Sequence, residues 1–339
     1  MVKHFFCSRK LCSVLSTCLA IGLLSACASD ISSKESSSNT SYSGNISTPT
    51  SSVLVSNDFS SYQQAQKLAH DQGYIYEGQF TPYQGSSSRI YGSTAAGCIE
   101  GSSELSDQKE EFQLQRWAAG RNYAHPLMLQ YLADLRHRTK DLGLPPLLIG
   151  DLSRVLGGPY GQKSNHASHN TGIDVDLPFD FALPRKTQSE LSSPKDVYIV
   201  KGTKIQPTFT KSIEVYIKTA ASDPRVDRIF VAPMIKKHMC LLYQDKEHNG
   251  FLQKLRPWFG HQAHMHVRLK CPFDSPECVS QAPVPQGTGC GYEVDSWFLP
   301  PPPKSGKAVA KKKERVLPQK CALLLKDNYL HVHSRNKPR

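Results

Sequence analysis

Two short motifs, about ninety residues apart, constrain this chain of 339 residues more than any other feature. The first lies within Ser168–Asp176, where a histidine, His169, precedes a carboxylate, Asp176. The second is His264-Met265-His266, whose imidazoles at i and i+2 point to the same face of an extended strand. Two imidazoles on one strand face are costly unless a metal or a carboxylate binds them. We interpret the motifs as the two halves of one metal site.

The ligand types indicate which chemistry such a site performs. Two histidines and a carboxylate, with one position left for water, form the ligand set of a catalytic zinc ion. A polar group beside that water, His264 or His261, could then accept its proton. The sequence contains no H-E-x-x-H and no G-x-S-x-G motif, which excludes a helix-borne zinc protease and argues against a serine hydrolase. We therefore predict a zinc hydrolase with one Zn²⁺ per chain.

The N-terminus predicts export from the cytoplasm. Residues 1–26 begin with positive charge and continue in an uncharged apolar run, shorter than the roughly 20 apolar residues of a membrane span and typical of a secretory signal. The run ends in Leu24-Ser25-Ala26-Cys27, which resembles the bacterial lipobox and makes Cys27 the expected site of lipidation. Ala28 follows instead of aspartate, which implies sorting to the outer membrane of a Gram-negative cell. We expect a periplasmic, lipid-anchored protein.

Composition divides the rest of the chain. Residues 27–56 are rich in Ser, Thr and Asn, with few large apolar side chains, so we expect a flexible tether. Residues 57–90 form a variable extension, residues 91–326 the hydrolase domain and residues 327–339 a basic tail. The formal net charge is +12, which suits an anionic polymer or a membrane surface, whereas an envelope location excludes nucleic acid as a partner.

The cysteine count agrees with an oxidising compartment. Of ten cysteines, three lie in the signal segment and one is Cys27, which leaves six. An even number in an exported chain predicts disulfides, but six cysteines allow fifteen connectivities and the count does not choose among them.

The spacing of apolar residues predicts an α+β fold. One helix is expected over residues 125–142, where Leu127, Tyr131 and Leu135 recur on one stripe, and a second over residues 208–221. Short strands are expected at four places: 147–150, 172–177, 228–232 and 264–269. We predict a mainly antiparallel sheet, flanked by helices and stabilised by disulfides, that carries a single zinc site.

Longer stretches of the sequence resemble a known family. Ser168-His169-x-x-Gly172-x-x-x-Asp176 with His264-x-His266 is similar to the motifs of the zinc peptidase group that includes lysostaphin, D-alanyl-D-alanine dipeptidases and the hedgehog fold. More narrowly, the chain resembles penicillin-insensitive murein endopeptidases from about Gly92 to Leu325. That resemblance rests on Gly150-Asp151, Gly157-Gly158, His166-Ala167-Ser168-His169, Thr171 to Asp176, Arg228 to Val231, and Pro257 to Leu269.

The resemblance implies a role for most of the polar site residues. It implies three zinc ligands: His169, Asp176 and His266. His264 is implied as the general base, His261 as a group that orients substrate or stabilises the oxyanion, and His166 as a residue that lines the site. The residues leave Asp174 open, either as a hydrogen-bond partner of a ligand histidine or as a solvent-facing strand residue. Two roles are left open for Arg268: it could bind a carboxylate of the substrate, or it could form a structural ion pair.

The resemblance also implies a substrate and a disulfide pairing. The substrate is peptidoglycan, cut between D-alanine and meso-diaminopimelate in its peptide cross-links. The implied disulfides are Cys98–Cys321, Cys240–Cys290 and Cys271–Cys278. Relatives carry an Asp and a His for an additional metal where this chain has lysines, in Val200-Lys201-Gly202-Thr203-Lys204. A single zinc is therefore expected, and a homodimer is left open.

Two other functions stay open at this stage. A D,D- or L,D-carboxypeptidase would use the same zinc site on uncross-linked stem peptides. A non-catalytic peptidoglycan-binding lipoprotein would have lost its chemistry, but the chain retains all three implied ligands and both auxiliary histidines.

Overall fold

The computed structural model describes residues 83–107, 111–161, 164, 166–300 and 316–326. Four predicted features lie outside the described residues: the signal segment 1–26, the lipidation site Cys27, the tether 27–56 and the tail 327–339. Most of the extension 57–90 lies outside them as well.

Short strands and mostly short helices make up the described domain. The strands are β1 (Arg89–Ser93), β2 (Ala96–Glu100), β3 (Ser103–Glu104), β4 (Phe112–Leu114), β5 (Tyr123–Ala124), β6 (Leu147–Ile149), β7 (Asp174–Pro178), β8 (Val200–Lys201), β9 (Lys204–Ile205), β10 (Val226–Val231), β11 (Leu255–Pro257) and β12 (His264–Leu269). The helices are α1 (Pro126–Asp141), α2 (Gln188–Ser192), α3 (Lys211–Ser222), α4 (Pro233–Tyr243), α5 (Phe251–Lys254) and α6 (Tyr292–Asp295). None of the described helices has the length and apolar character needed to cross a membrane.

A four-stranded sheet in the order β11-β10-β12-β7 organises the fold. Strand β12 pairs antiparallel with both β7 and β10, whereas β11 runs parallel to β10. The mixed α/β architecture with antiparallel pairing agrees with the predicted class. The register places His266 opposite Asp176, and Arg268 opposite Asp174. The two sequence motifs therefore meet as neighbouring strands.

The central sheet has one apolar and one polar face, because side chains alternate along each strand. Met265, Val267 and Leu269 of β12 are buried in the main hydrophobic core, together with residues of α1, α3 and α4. His264, His266 and Arg268 point to the opposite face. Burial of the apolar face thus fixes which face presents the polar side chains, since a shift of one residue would exchange the two sets.

The two predicted helices are present as α1 and α3, whereas α2, α4, α5 and α6 were not predicted. α1 begins one residue after His125, whose Nδ1 accepts a hydrogen bond from the Leu127 amide at 3.2 Å, with proline at the first helical position. The apolar stripe predicted for this helix is buried. Helix α4 was not predicted, although Pro233 starts it and Ile235 and Met239 recur at helical spacing on its buried face.

The described chain contains three disulfides, two of which join parts that are distant in sequence. They are the pairs that the resemblance implied: Cys98–Cys321, Cys240–Cys290 and Cys271–Cys278, with sequence separations of 223, 50 and 7 residues. The first ties helical residues 319–326 to β2, and the second ties the loop before α6 to α4.

Candidate metal centre

Strands β7 and β12 and the loop before β7 position the site. Asp176 and His266 face each other across the strand pair, and the loop places His169 beside them. His169 has a φ of 71°, a left-handed conformation that is uncommon outside glycine. Its amide donates a hydrogen bond to Asp174 Oδ2 at 3.1 Å, which holds this strained residue in place. Gly172 lets the loop pack closely, because a Cβ there would lie 2.7 Å from the backbone nitrogen of His125.

The Asp176 carboxylate lies at the centre of four imidazoles. Its Oδ1 is 3.0 Å from His266 Nδ1, 3.3 Å from His169 Nε2 and 3.9 Å from His264 Nε2. Its Oδ2 is 3.8 Å from His166 Nδ1. The structure therefore brings together every histidine of the two motifs around one buried carboxylate.

Part of this cluster satisfies the geometry of a metal site. One ligand atom each from His166, His169 and Asp176 lies within 4.8 Å of the others, so these residues could hold a metal ion. Both ring nitrogens of His169 are buried without a hydrogen-bond partner. Buried polar atoms are rarely left unpaired, because the loss of water costs free energy. The residues therefore fit a metal whose ligands are nitrogen and oxygen.

Two predicted ligands, His169 and Asp176, belong to that group, and His266 adjoins it. His266 donates or accepts at both ring nitrogens, with Nδ1 toward Asp176 and Nε2 at 2.9 Å from Asp174 Oδ1. His166 is less buried, and its Nε2 lies 3.3 Å from Asp151 Oδ2. The sequence placed His166 only at the lining of the site, whereas the structure brings its Nδ1 to the Asp176 carboxylate.

Asp174 lies behind the cluster and not at the solvent-facing surface. It is completely buried at 0% exposure, and Arg268 Nε donates a hydrogen bond to its Oδ1 at 2.7 Å. Arg268 also donates to Gln281 Oε1 at 2.6 Å and stacks over Phe230. The sequence left two interpretations of Asp174 open. The structure agrees with the first, in which Asp174 forms a hydrogen bond to a histidine, here His266. Arg268 forms the structural ion pair.

The buried charges shift the ionisation of the central pair in opposite directions. Burial raises the pKa of the Asp176 carboxyl, but the charges of His169 and His264 outweigh it and hold that pKa well below its usual range. Burial lowers the pKa of His266, but the charge of Asp174 and hydrogen bonds to Asp174 and Asp176 raise it to about 9. The cluster thus favours an ionised carboxylate next to a protonated imidazole.

His261 and His264 lie on the side of the cluster that opens to solvent. The His264 side chain is 29% exposed. His261 Nδ1 donates a hydrogen bond to the Phe259 carbonyl at 2.6 Å, since a carbonyl oxygen can only accept. Burial and the charges of His264 and His266 lower the pKa of His261 to about 4. A neutral His261 with its proton on Nδ1 offers an accepting lone pair at Nε2.

Two surfaces flank the cluster. On one side is a cavity of about 300 Å³, lined by His166, Asp176 and His264 and by charged groups that include Arg116, Arg121 and Asp151. On the other side aromatic rings continue outward from His261. Phe259 is 72% exposed and Trp258 54%, and Trp297 packs against both.

The sequence did not identify several residues that shape this cleft. Asp151 is buried and pairs with Arg121 Nη1 at 2.9 Å as well as with His166. Tyr160 stacks on the His169 ring, with centroids 5.7 Å apart and planes inclined by 20°. The signal for Asp151 was its position directly after the buried strand β6 and Gly150. No comparable signal marks Tyr160, which lies in a glycine-rich loop.

Comparison with known proteins assigns the chain to a family. A polar cluster in an open cleft, on the face of a small mixed sheet, defines a protein with a candidate metal centre. A family model described as penicillin-insensitive murein endopeptidase matches residues 90–326. A protein of that name from Salmonella heidelberg (strain SL476) is 40% identical over 252 residues, which cover 74% of this chain and 90% of the relative.

A second protein of that name, from Klebsiella pneumoniae subsp. pneumoniae, is 40% identical over 260 residues, which cover 74% of this chain and 93% of the relative. The chain belongs to the penicillin-insensitive murein endopeptidase family and is therefore a peptidase. The family resemblance predicted from the motifs is confirmed.

Proposed function

We propose that this chain is a zinc-dependent murein endopeptidase that hydrolyses the D-alanyl–meso-diaminopimelyl cross-links of peptidoglycan. The observation that carries the proposal is the convergence of four imidazoles on Asp176, with no hydrogen bond at either ring nitrogen of His169. Family membership supports the murein substrate. The D-alanyl–meso-diaminopimelyl type of cross-link is what the resemblance of the motifs to this family implies.

His169, Asp176 and His266 are the residues that we assign as zinc ligands. When bound, zinc supplies a Lewis acid that lowers the pKa of a water molecule and polarises a carbonyl group. Asp174 holds the Nε2 side of His266, which leaves Nδ1 directed at Asp176. A carboxylate behind a ligand histidine fixes its tautomer and orientation. Arg268 in turn orients Asp174.

The two histidines on the open side handle the proton and the substrate. His264 Nε2 lies at the edge of the cluster and is exposed enough to meet water, so we assign it as the base that takes a proton from the attacking water. His261 Nε2 is an acceptor, which suits it to orient a substrate N–H. This chemistry requires no covalent intermediate on a side chain, so penicillin, which acylates serine, should not inhibit.

We also propose that the mature protein acts in the periplasm, held at the outer membrane by a lipid on Cys27. The support is the sequence around the lipobox-like segment. Mass spectrometry of the N-terminal peptide should find diacylglyceryl on Cys27. A Cys27→Ser chain that stays with the membrane fraction as firmly as the wild type would contradict the anchor.

Digestion of purified sacculi tests the activity. The full-length protein is incubated in detergent with zinc, with chelator or with penicillin, and muropeptides are separated. We expect cross-linked dimers to become monomers, with the reaction lost in chelator and unchanged by penicillin. His264→Ala should reduce kcat by about 10²–10⁴-fold with zinc content retained. The control His137→Ala, at an exposed histidine on α1, should change neither.

Other products would point to other functions. Trimming of monomers without loss of dimers would indicate a carboxypeptidase. A zinc-loaded, disulfide-bonded protein that releases nothing would be a binding lipoprotein.

Metal content tests the ligand set separately. His266→Ala should lose zinc at equilibrium, whereas His166→Ala should retain close to one ion per chain. The reverse result would assign the third ligand to His166, in accordance with the tighter geometric group.

A further inference from the structure

The cavity beside the metal centre contains a half-buried arginine with no partner in the described part of the chain. Arg116 lines the same cavity as His166, Asp176 and His264. No hydrogen bond, ion pair or ring contact joins its guanidinium to another described residue. A guanidinium is always charged and carries five donors in a planar fork, so an unpaired one in a cleft is suited to bind an anion.

Two other charged groups of the cavity, Arg121 and Asp180, are already in ion pairs. Arg121 Nη1 lies 2.9 Å from Asp151 Oδ2, and the Arg121 guanidinium stacks over Tyr160. Asp180 Oδ2 pairs with Lys186 Nζ at 2.8 Å.

At the mouth, Asp196 accepts a hydrogen bond from the Tyr198 hydroxyl at 3.2 Å. The neighbouring Lys195 is exposed at the same rim. Among the half-buried cations of the cavity, Arg116 alone is thus open to a ligand in the described structure.

The backbone holds Arg116 in a costly conformation. Its φ of 51° and ψ of 29° lie in the left-handed region, which a residue with a Cβ seldom adopts. The Arg116 amide donates to the Leu191 carbonyl, and the Ala119 amide donates to the Arg116 carbonyl, each at 2.8 Å. Residues kept in such conformations by their surroundings cluster at ligand sites. The strain and the unpaired charge are independent observations on one residue.

We propose that Arg116, assisted by Lys195 at the rim, forms a carboxylate subsite that recognises the leaving-group side of the scissile amide. This inference rests on the proposed function. In a D-alanyl–meso-diaminopimelyl cross-link, the scissile nitrogen is attached to a carbon that also bears a free carboxylate. That carboxylate enters the cleft with the reacting bond, and the guanidinium fork can bind it through two parallel hydrogen bonds. Arg116 thereby selects a free acid over its amide.

Two soluble cross-linked muropeptide dimers test this subsite. They differ only in whether the diaminopimelate carboxyl next to the scissile bond is free or amidated. The full-length, zinc-loaded wild type should prefer the free acid by roughly 10- to 100-fold in kcat/KM, the range expected for a charge-assisted pair. Arg116→Gln should lose that much activity on the free acid and little on the amide. Arg116→Lys should restore part of the preference, because it keeps the charge without the fork.

A control and a binding measurement complete the test. Arg89→Gln removes an exposed arginine outside the cavity and should leave both rates unchanged. Binding of the monomeric stem peptide, measured by calorimetry, should weaken with Arg116→Gln to a similar extent.

Three results would overturn the inference. Equal rates of wild type and Arg116→Gln on the free acid would show that Arg116 does not bind it. An equal loss on both dimers would indicate a structural role. A wild type that cleaves neither dimer would overturn the proposed endopeptidase activity itself, and the subsite with it.

Discussion

Two buried charged clusters in this domain resemble each other in composition but not in pairing. In the metal centre, Asp176 is surrounded by imidazoles, and His169 makes no hydrogen bond through either ring nitrogen, although its Nε2 lies 3.3 Å from Asp176 Oδ1. In the second cluster, Asp223 is completely buried between Arg138 and Arg225. Both of its oxygens accept from guanidinium groups, with distances of 2.7 to 3.0 Å.

The difference separates a binding site from a structural device. A buried carboxylate whose oxygens both accept from guanidinium groups is not available as a metal ligand, and its removal leaves an uncompensated charge. The metal centre also contains a buried carboxylate, but the ring nitrogens of His169 beside it make no hydrogen bond. Burial of charge alone therefore does not mark function, whereas unsatisfied buried atoms beside a cleft do. The same substitution in each cluster should have opposite consequences.

The largest effect is expected in the metal centre. Asp176→Asn should lose bound zinc and all measurable turnover, because it removes the carboxylate on which the other groups converge. Zinc content by atomic absorption and muropeptide release measure this. In chelator, its free energy of unfolding should change less than that of Asp223→Asn. A variant that retains stoichiometric zinc would contradict the assignment of Asp176 as a ligand.

Asp223→Asn should act on stability and not on metal. We expect it to lower the free energy of unfolding by about 3–5 kcal/mol, since it removes the buried carboxylate that Arg138 and Arg225 share, although Arg225 keeps its ion pair with Asp134. Denaturant unfolding followed by circular dichroism gives the value. Zinc content per folded chain should stay the same. The control Asp107→Asn removes an exposed carboxylate paired with Arg185 and should change stability by less than about 1 kcal/mol.

Asp174→Asn tests whether a buried carboxylate of the metal centre affects zinc affinity or only stability. The amide cannot hold His266 Nε2 and Arg268 as the carboxylate does, so zinc affinity should fall by about 10- to 100-fold. Competition with a chelator of known affinity measures the change. If zinc affinity is unaffected while stability falls as far as in Asp223→Asn, then Asp174 belongs with the structural cluster.

The smallest expected effect is the pH dependence of stability that Asp223 causes. Burial raises the pKa of Asp223, but the charges of Arg225 and Arg138 outweigh it and hold that pKa below its usual range. The stability that this group contributes is present above its unfolded pKa, near 3.9, and is lost as pH falls toward the folded value. In chelator, wild type should therefore lose stability below about pH 4 more steeply than Asp223→Asn, by at most about 1.4 kcal/mol per pH unit. Parallel curves would contradict the lowered pKa.

Much of the fold could be predicted because its signals are local. The stripe of α1 and the alternation of β12 depend on residues close in sequence, and both elements were found where they were expected. Helix α4 carries an equally local pattern, but the charged residue Lys236 stands among the apolar residues of its buried face and weakens the signal. Lys236 is fully buried there, where Nζ donates to the Leu252 carbonyl at 2.6 Å.

The candidate site was predictable only in part. His169, Asp176, His264 and His266 could be selected because their residue types and spacing suit zinc. The surroundings of Asp174 could not be predicted, since the local sequence is the same whether a strand carboxylate faces solvent or an imidazole. Its burial depends on Arg268, which lies 94 residues away in the chain and directly opposite in the sheet.

By itself, the sequence determined the family, the apolar stripe of α1 and the alternation of β12. Only the tertiary structure decided which polar groups pair and which stay open. The paired carboxylates Asp151, Asp174 and Asp223 and the unpaired Arg116 are alike in sequence, because each is one charged residue among many. Pairing requires contact between residues far apart in the chain, and those contacts exist only once the strands have taken their register and the loops have packed against them.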